Sequence, residues 1–124
     1  MPAAEAFLLY AHGARDPDWA TPLRRLAARL GERSGDRLVA LAFLEHMSPG
    51  LDEAVAGLVA AGVGRVILVP LFVGRGGHLK KDLPPALERV RATHPRLELQ
   101  VLPALGEDDA VVEAIVGWIL GAVS

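Results

Sequence analysis

Four short apolar runs, each passing into a loop and then into an amphipathic segment, set the plan of this 124-residue chain. The first, residues 6–11, is apolar without alternation, which marks a strand covered on both faces of a parallel sheet. Residues 38–44, residues 65–70 with the run Val66-Ile67-Leu68-Val69, and residues 97–102 are read as three further strands.

Between these runs the period changes. Trp19, Leu23, Leu26, Ala27 and Leu30 recur at helical spacing, which predicts a helix over residues 19–33 with that face inward, Asp18 as its cap and Gly35 as its breaker. Leu51, Val55, Leu58 and Val59 predict a second helix, with Ser48 as N-cap, Pro49 at the first helical position and an end by Gly62. Leu87 and Val90 point inward from a third, over residues 84–93, with Pro84 and Pro85 in its first turn and His94-Pro95 at its end. A last helix over residues 108–123 carries apolar side chains on more than one face, among them Val112, Ile115, Trp118 and Ile119. That excess suits either deep burial or a subunit contact. The βαβαβαβα order predicts an α/β protein: one domain, residues 1–124, a three-layer α/β/α sandwich with a four-stranded parallel sheet, flavodoxin-like strand order and right-handed crossovers.

Composition narrows the chemistry. A net charge of −2 without a basic stripe argues against nucleic acid as a partner. The absence of cysteine excludes disulfides, thiolate zinc sites and cysteine nucleophiles, so a metal would need imidazole, carboxylate or backbone oxygen. No stretch approaches the roughly 18 apolar residues of a membrane span. Glu5 stands where a signal peptide would be basic, so the expectation is a soluble cytoplasmic protein without a membrane partner.

In open α/β sheets sites form beyond the carboxyl ends of the strands. The first strand ends in His12-Gly13-Ala14-Arg15, the second in Glu45-His46, and the third feeds Gly74-Arg75-Gly76-Gly77-His78. With the first strand central, His12, Glu45 and His78 share one edge. A histidine or carboxylate there is either satisfied by nearby backbone or solvent, or it is a ligand or proton acceptor. Glycines around His78 permit close approach of a ligand. Lys80 and Lys81 oppose the dipole of the helix they precede, so an anionic ligand accounts for them, as does plain solvation. Arg15 and Arg75 flank the two loop histidines and suit carboxylates or phosphates. His46, next to Glu45, would point away from it in an extended chain. No Walker sequence, dinucleotide fingerprint or nucleophile elbow is present. His12-Gly13 after a strand faintly resembles the histidine phosphatases, but Ala11 stands where their arginine would be.

Three segments, His-Gly-Ala-Arg-Asp at 12–16, Ala-Phe-Leu-Glu at 42–45 and Pro-Leu-Phe-Val-Gly-Arg-Gly-Gly-His-Leu-Lys-Lys-Asp-Leu-Pro at 70–84, closely resemble the class II tetrapyrrole chelatases, and most of all the short-form sirohydrochlorin cobaltochelatases. The resemblance covers nearly the whole chain. It implies a chelatase-like fold and insertion of a divalent metal, Co²⁺ first and Ni²⁺ or Fe²⁺ as alternatives, into sirohydrochlorin or a related tetrapyrrole, without an organic cofactor. It implies that His12 and His78 bind metal and accept protons, that Glu45 assists them, and that the chain forms a homodimer. Arg15, Arg75, Lys80 and Lys81 would then meet the carboxylates of the ring. Three positions depart from the family pattern: Ala14 replaces a usual serine, His46 a usual apolar residue, and Leu105-Gly106-Glu107-Asp108 lacks a histidine-proline pair. The competing reading is a non-catalytic metal carrier or tetrapyrrole-binding module on the same fold.

Overall fold

The computed structural model describes residues 4–74 and 76–123, with residues 77 and 78 described by their backbone alone. Four strands, β1 (Ala4–Ala11), β2 (Leu38–Phe43), β3 (Val63–Pro70) and β4 (Glu98–Val101), form one parallel sheet in the order β2-β1-β3-β4. The expected parallel sheet and strand order are present, with β1 central. Its register runs from Ala6 opposite Leu38 to Ala11 opposite Phe43 on one side, and from Glu5 opposite Arg65 to Tyr10 opposite Pro70 on the other.

Alternation along β1 divides the core in two. Ala6, Leu8 and Tyr10 face the helices α2 (Leu51–Ala60) and α3 (Gly77–Thr93), where Val55, Leu58, Leu79, Leu83 and Val90 close the larger apolar cluster. Leu8, Val55, Val66, Leu68 and Val90 are fully buried, each stabilising the fold by about 1.5–3 kcal/mol. Ala11 and Phe43 face the other way, into a smaller cluster with Ala20, Leu23 and Met47 beneath α1 (Thr21–Arg33).

Several elements differ from their sequence expectation. Residues Pro17–Ala20 form a 3-10 turn ahead of α1, capped by Asp16, not Asp18: the Asp16 carboxylate accepts from the Asp18 N–H at 2.9 Å. Trp19 falls in this turn and is exposed, as is Leu26, so only Leu23, Ala27 and Leu30 remain half-buried on the predicted face. Helix α2 begins at Leu51 with Gly50 as its cap, and Ser48 and Pro49 belong to the loop before it. The largest shift is in α3, which starts seven residues earlier than expected and carries Pro84 and Pro85 in its interior. Leu79 and Leu83 extend the buried stripe of Val90 backward by helical turns, and their burial outweighs the backbone hydrogen bonds the prolines cannot make.

The last helix, α4 (Asp109–Ala122), begins with Asp108 accepting from the N–H groups of Ala110 and Val111. Deep burial in its own chain does not hold: no residue of α4 is buried. Among the described residues no helix is long and apolar enough to cross a membrane.

Candidate active site

The β1–β2 ladder continues past the strand ends. The Leu44 N–H donates to the Ala11 carbonyl (2.8 Å), and the Glu45 N–H donates to the His12 carbonyl (3.0 Å). This backbone pairing sets His12 and Glu45 side by side at the carboxyl edge, both exposed. Gly13 makes the approach possible. Its φ is +87°, and a Cβ built on it would lie 1.9 Å from the Glu45 carbonyl oxygen, so a side chain there would force the two loops apart.

The His12 ring is held from the β3 side. It packs edge-on against Phe72, with centroids 4.4 Å apart and planes at 89°. Phe72 in turn meets Tyr10 edge-on at 5.9 Å and is almost wholly buried. Burial raises the pKa of the Tyr10 phenol above its ordinary value. The Phe72 carbonyl accepts from the Leu105 N–H (2.9 Å), and the Val73 carbonyl accepts from the Gly106 N–H (2.8 Å). A Cβ at Gly106 would lie 2.0 Å from the Val73 oxygen, so the loop after β4 clamps the loop after β3 as closely as Gly13 clamps Glu45. Phe72 and Gly106 had no assigned role in the sequence reading. Phe72 lay inside the quoted motif, but nothing in its spacing says that it braces an imidazole two strands' loops away.

His46 departs from the extended conformation on which its outward direction was expected. The Glu45 carbonyl accepts from the Met47 N–H at 2.8 Å, closing a three-residue turn around His46, whose φ is +64°. Its Nε2 lies 3.9 Å from a Glu45 carboxylate oxygen. The turn therefore brings His46 back beside Glu45.

The remaining predicted residues fall as follows. His78 lies in the first turn of α3 instead of the loop, so its backbone follows β3 at the same sheet edge, while its side chain is outside the described part of the structure. Arg75 lies outside the described residues. Lys80 and Lys81 are exposed on the opening turns of α3, and Arg15 is exposed in the loop after β1. Among the described residues no three His, Cys, Asp or Glu side chains gather into a cluster that would hold a metal ion.

A cleft of about 640 Å³ opens between α2 and α3, lined by Tyr10, Leu44, Leu79 and Leu83 but by neither His12 nor Glu45. Its polar lining is mainly acidic, with Asp52, Glu53 and Asp82, and its arginine, Arg89, is engaged by the Asp52 carboxylate at 2.9 Å. That charge pattern disfavours a polycarboxylate ligand in the cleft, whereas the exposed His12–Glu45 edge has Lys80, Lys81 and Arg15 on the elements around it.

Comparison with known proteins bears on the fold and the family. The family model described as CbiX matches residues 6–119. A sirohydrochlorin cobaltochelatase of Saccharolobus solfataricus is 30% identical over 115 residues, covering 88% of each chain. One from Methanosarcina acetivorans is 32% identical over 80 residues, 64% of this chain and 62% of that one. Among solved structures, a CbiX protein of cobalamin (vitamin B12) biosynthesis from Marinobacter aquaeolei VT8 superposes with a TM-score of 0.83 at 29% identity, covering 96% of this chain and 97% of that one. The sirohydrochlorin chelatase SirB of Bacillus subtilis subspecies spizizenii, in complex with cobalt, shares the fold with a TM-score of 0.79 at 21% identity. There 95% of this chain matches 50% of the longer one. With four strands and four α-helices among the described residues and a family match over residues 6–119, the chain belongs to the CbiX family of class II tetrapyrrole chelatases.

Proposed function

We propose that this chain is a chelatase that inserts a divalent metal, Co²⁺ first and Ni²⁺ or Fe²⁺ as alternatives, into sirohydrochlorin or a closely related tetrapyrrole. The observation that carries this reading is the His12 imidazole, braced edge-on by Phe72 beside the Glu45 carboxylate at an exposed strand edge. Relatives named as sirohydrochlorin cobaltochelatases support it, as does the cobalt-bound SirB structure.

The chemistry is an exchange. The free ring carries two pyrrole N–H protons, and the hydrated ion must shed water. Insertion forms metal–nitrogen bonds to the ring and releases two protons. In this reading His12 and His78 hold the incoming ion and take the protons, since a neutral imidazole can serve as ligand or base near neutral pH. Glu45 adds negative charge that favours both the cation and the protonated imidazole. The edge is open, which suits an ion that must leave for the ring instead of staying in a closed structural site. Lys80, Lys81, Arg15 and Arg75 attract the carboxylates around the macrocycle. Imidazole and carboxylate accept cobalt, nickel and iron alike, so these donors do not by themselves rank the metals. The chain acts as a homodimer in the cytoplasm, with residues 1–124 as one domain and no organic cofactor.

An anaerobic absorbance assay tests the reading. Purified protein is mixed with sirohydrochlorin and Co²⁺, Ni²⁺ or Fe²⁺ in turn, against metal-only controls. A metallated-ring spectrum appearing faster than in the control, fastest with cobalt, is expected. Tight metal binding with no acceleration for any ion would overturn the chelatase assignment in favour of a metal carrier.

A further inference from the structure

The loop after β2 presents an imidazole that the proposed mechanism does not use. His46 stands at the carboxyl edge of the sheet, directly after Glu45. Its backbone is fixed from both sides. The Glu45 N–H donates to the His12 carbonyl, and the Met47 side chain packs on the smaller core cluster. Between these anchors the chain turns within three residues: the Met47 N–H donates to the Glu45 carbonyl at 2.8 Å, and φ at His46 is +64°. Glycine takes that conformation freely, whereas a residue with a side chain takes it at a cost. The turn sets the donors of two adjacent residues on one side, where an extended chain would point them apart. His46 Nε2 lies 3.9 Å from a Glu45 carboxylate oxygen. That is beyond hydrogen-bond reach, and no hydrogen bond holds either side chain among the described residues. Two donors each about 2.1 Å from one ion, at angles of about 90–110°, stand roughly 3.0–3.4 Å apart, so a small rotation of either side chain closes the pair on a cation.

We propose that Glu45 and His46 form a loading site for a divalent ion, an oxygen and a nitrogen donor that take the hydrated cation ahead of His12. Imidazole with carboxylate is a donor set that Co²⁺, Ni²⁺ and Fe²⁺ all accept. Each donor replaces one water molecule on the ion, and no bond within the protein breaks. Water keeps the remaining positions, in line with there being no cluster of three such side chains among the described residues. A site of this kind holds its ion as cargo, unlike a closed structural centre. Glu45 joins it to the proposed reaction: the backbone pairing that sets Glu45 beside His12 puts the loaded ion next to the imidazole that is to receive it. The loading site rests on the proposed reading for the identity of its cargo alone, since binding is measured with metal and no ring.

Co²⁺ without tetrapyrrole is therefore the probe. The chain used is the folded double variant His12→Ala/His78→Ala, ¹⁵N-labelled, from which the other proposed ligands are gone. Its histidine ring signals are followed as Co²⁺ is added, with His94, at the far end of α3, as the internal control. Selective paramagnetic broadening of His46 is expected, with His94 unaffected. In the same background His46→Gly keeps the turn, because glycine accepts its φ. It should weaken Co²⁺ binding by about tenfold or more, read from the backbone amides around Glu45, since even loss of a group that only supports a metal ligand costs that much. In the otherwise native chain His46→Gly should move KM for Co²⁺ more than kcat. Equal broadening of His46 and His94, broadening of neither, or unchanged Co²⁺ affinity after His46→Gly would overturn the proposal. Selective broadening of His46 in a chain that inserts no metal keeps the loading site and overturns the chelatase reading alone. Native insertion with a native KM for Co²⁺ in His46→Gly does the reverse.

Discussion

His12 owes its setting to residues that carry no chemistry of their own. Gly13 lets the Glu45 backbone approach, and Phe72 fixes the ring. Replacing Gly13 with Ala puts a Cβ inside the Glu45 carbonyl at a φ of +87°, so the loop must move. The expected cost is roughly 3 kcal/mol or more, read as a lower urea midpoint with an unchanged slope, and accompanied by loss of activity. An alanine protein as stable and active as the native one would remove Gly13 from the account. Phe72→Leu keeps apolar volume but removes the ring edge under His12. It should leave stability within about 1.5 kcal/mol while slowing turnover through a misdirected imidazole. A fall in stability with turnover per folded molecule unchanged would make Phe72 a core residue only. At this scale the sequence brought out the groups proposed to react, because His12 and Glu45 stand directly after apolar runs. It could not name their braces, since Phe72 meets His12 across two loops, and the clash that demands glycine at Gly13 and Gly106 exists only once those loops are side by side.

The elements bring charge to both ends of the sheet. At the carboxyl edge, Lys80 and Lys81 ride on the opening turns of α3 because the buried Leu79 and Leu83 fix that helix's rotation. Changing both lysines to Ala should raise KM for the tetrapyrrole several-fold with little change in kcat; an unchanged KM would return them to ordinary solvation. At the amino edge, Glu5 on β1 accepts from Arg65 on β3 at 2.5 Å and from Arg37, just before β2, at 3.1 Å. Those two guanidinium groups, Arg65 foremost, hold the Glu5 carboxyl below its ordinary value near 4.5. A folded-state pKa below the unfolded one contributes stability above the usual carboxylate range, and that contribution is lost as pH falls through the lowered value. Glu5→Gln should therefore be less stable than the native chain at neutral pH, with the difference closing in acid. A gap in urea midpoints that stays constant from neutral pH to about pH 3 would contradict that linkage. The helices were less legible than the strands for a definite reason. Pro84-Pro85 has the look of a helix start, and the buried residues before it, two leucines among glycine, histidine and lysines, are too few to announce a helix locally. Tertiary burial alone sets where α3 begins.

For the whole molecule, alternating strand and helix patterns were enough to place β1 inside the sheet and the candidate residues His12 and Glu45 at one edge. The outer surface was not legible in the same way, because periodicity reports that a helix has an apolar face and not whether its own chain covers it. Trp19 and Leu26 were read as inward and stand exposed, and of the two readings of α4 left open by its pattern, deep burial in its own chain does not hold. The acidic cleft between α2 and α3 likewise appears only once Asp52, Glu53 and Asp82 are brought around it.

The central claim is that imidazoles at that edge drive metal insertion, and one comparison tests it directly: the initial rate of cobalt insertion into sirohydrochlorin by the native chain, by His12→Ala and by His78→Ala, each corrected for the spontaneous rate. Loss of a ligand and proton acceptor should lower turnover by about 100-fold or more in each variant, with the folded spectrum retained. Native rates in either folded variant would contradict the assignment of that histidine, and native rates in both would leave the edge without its chemistry.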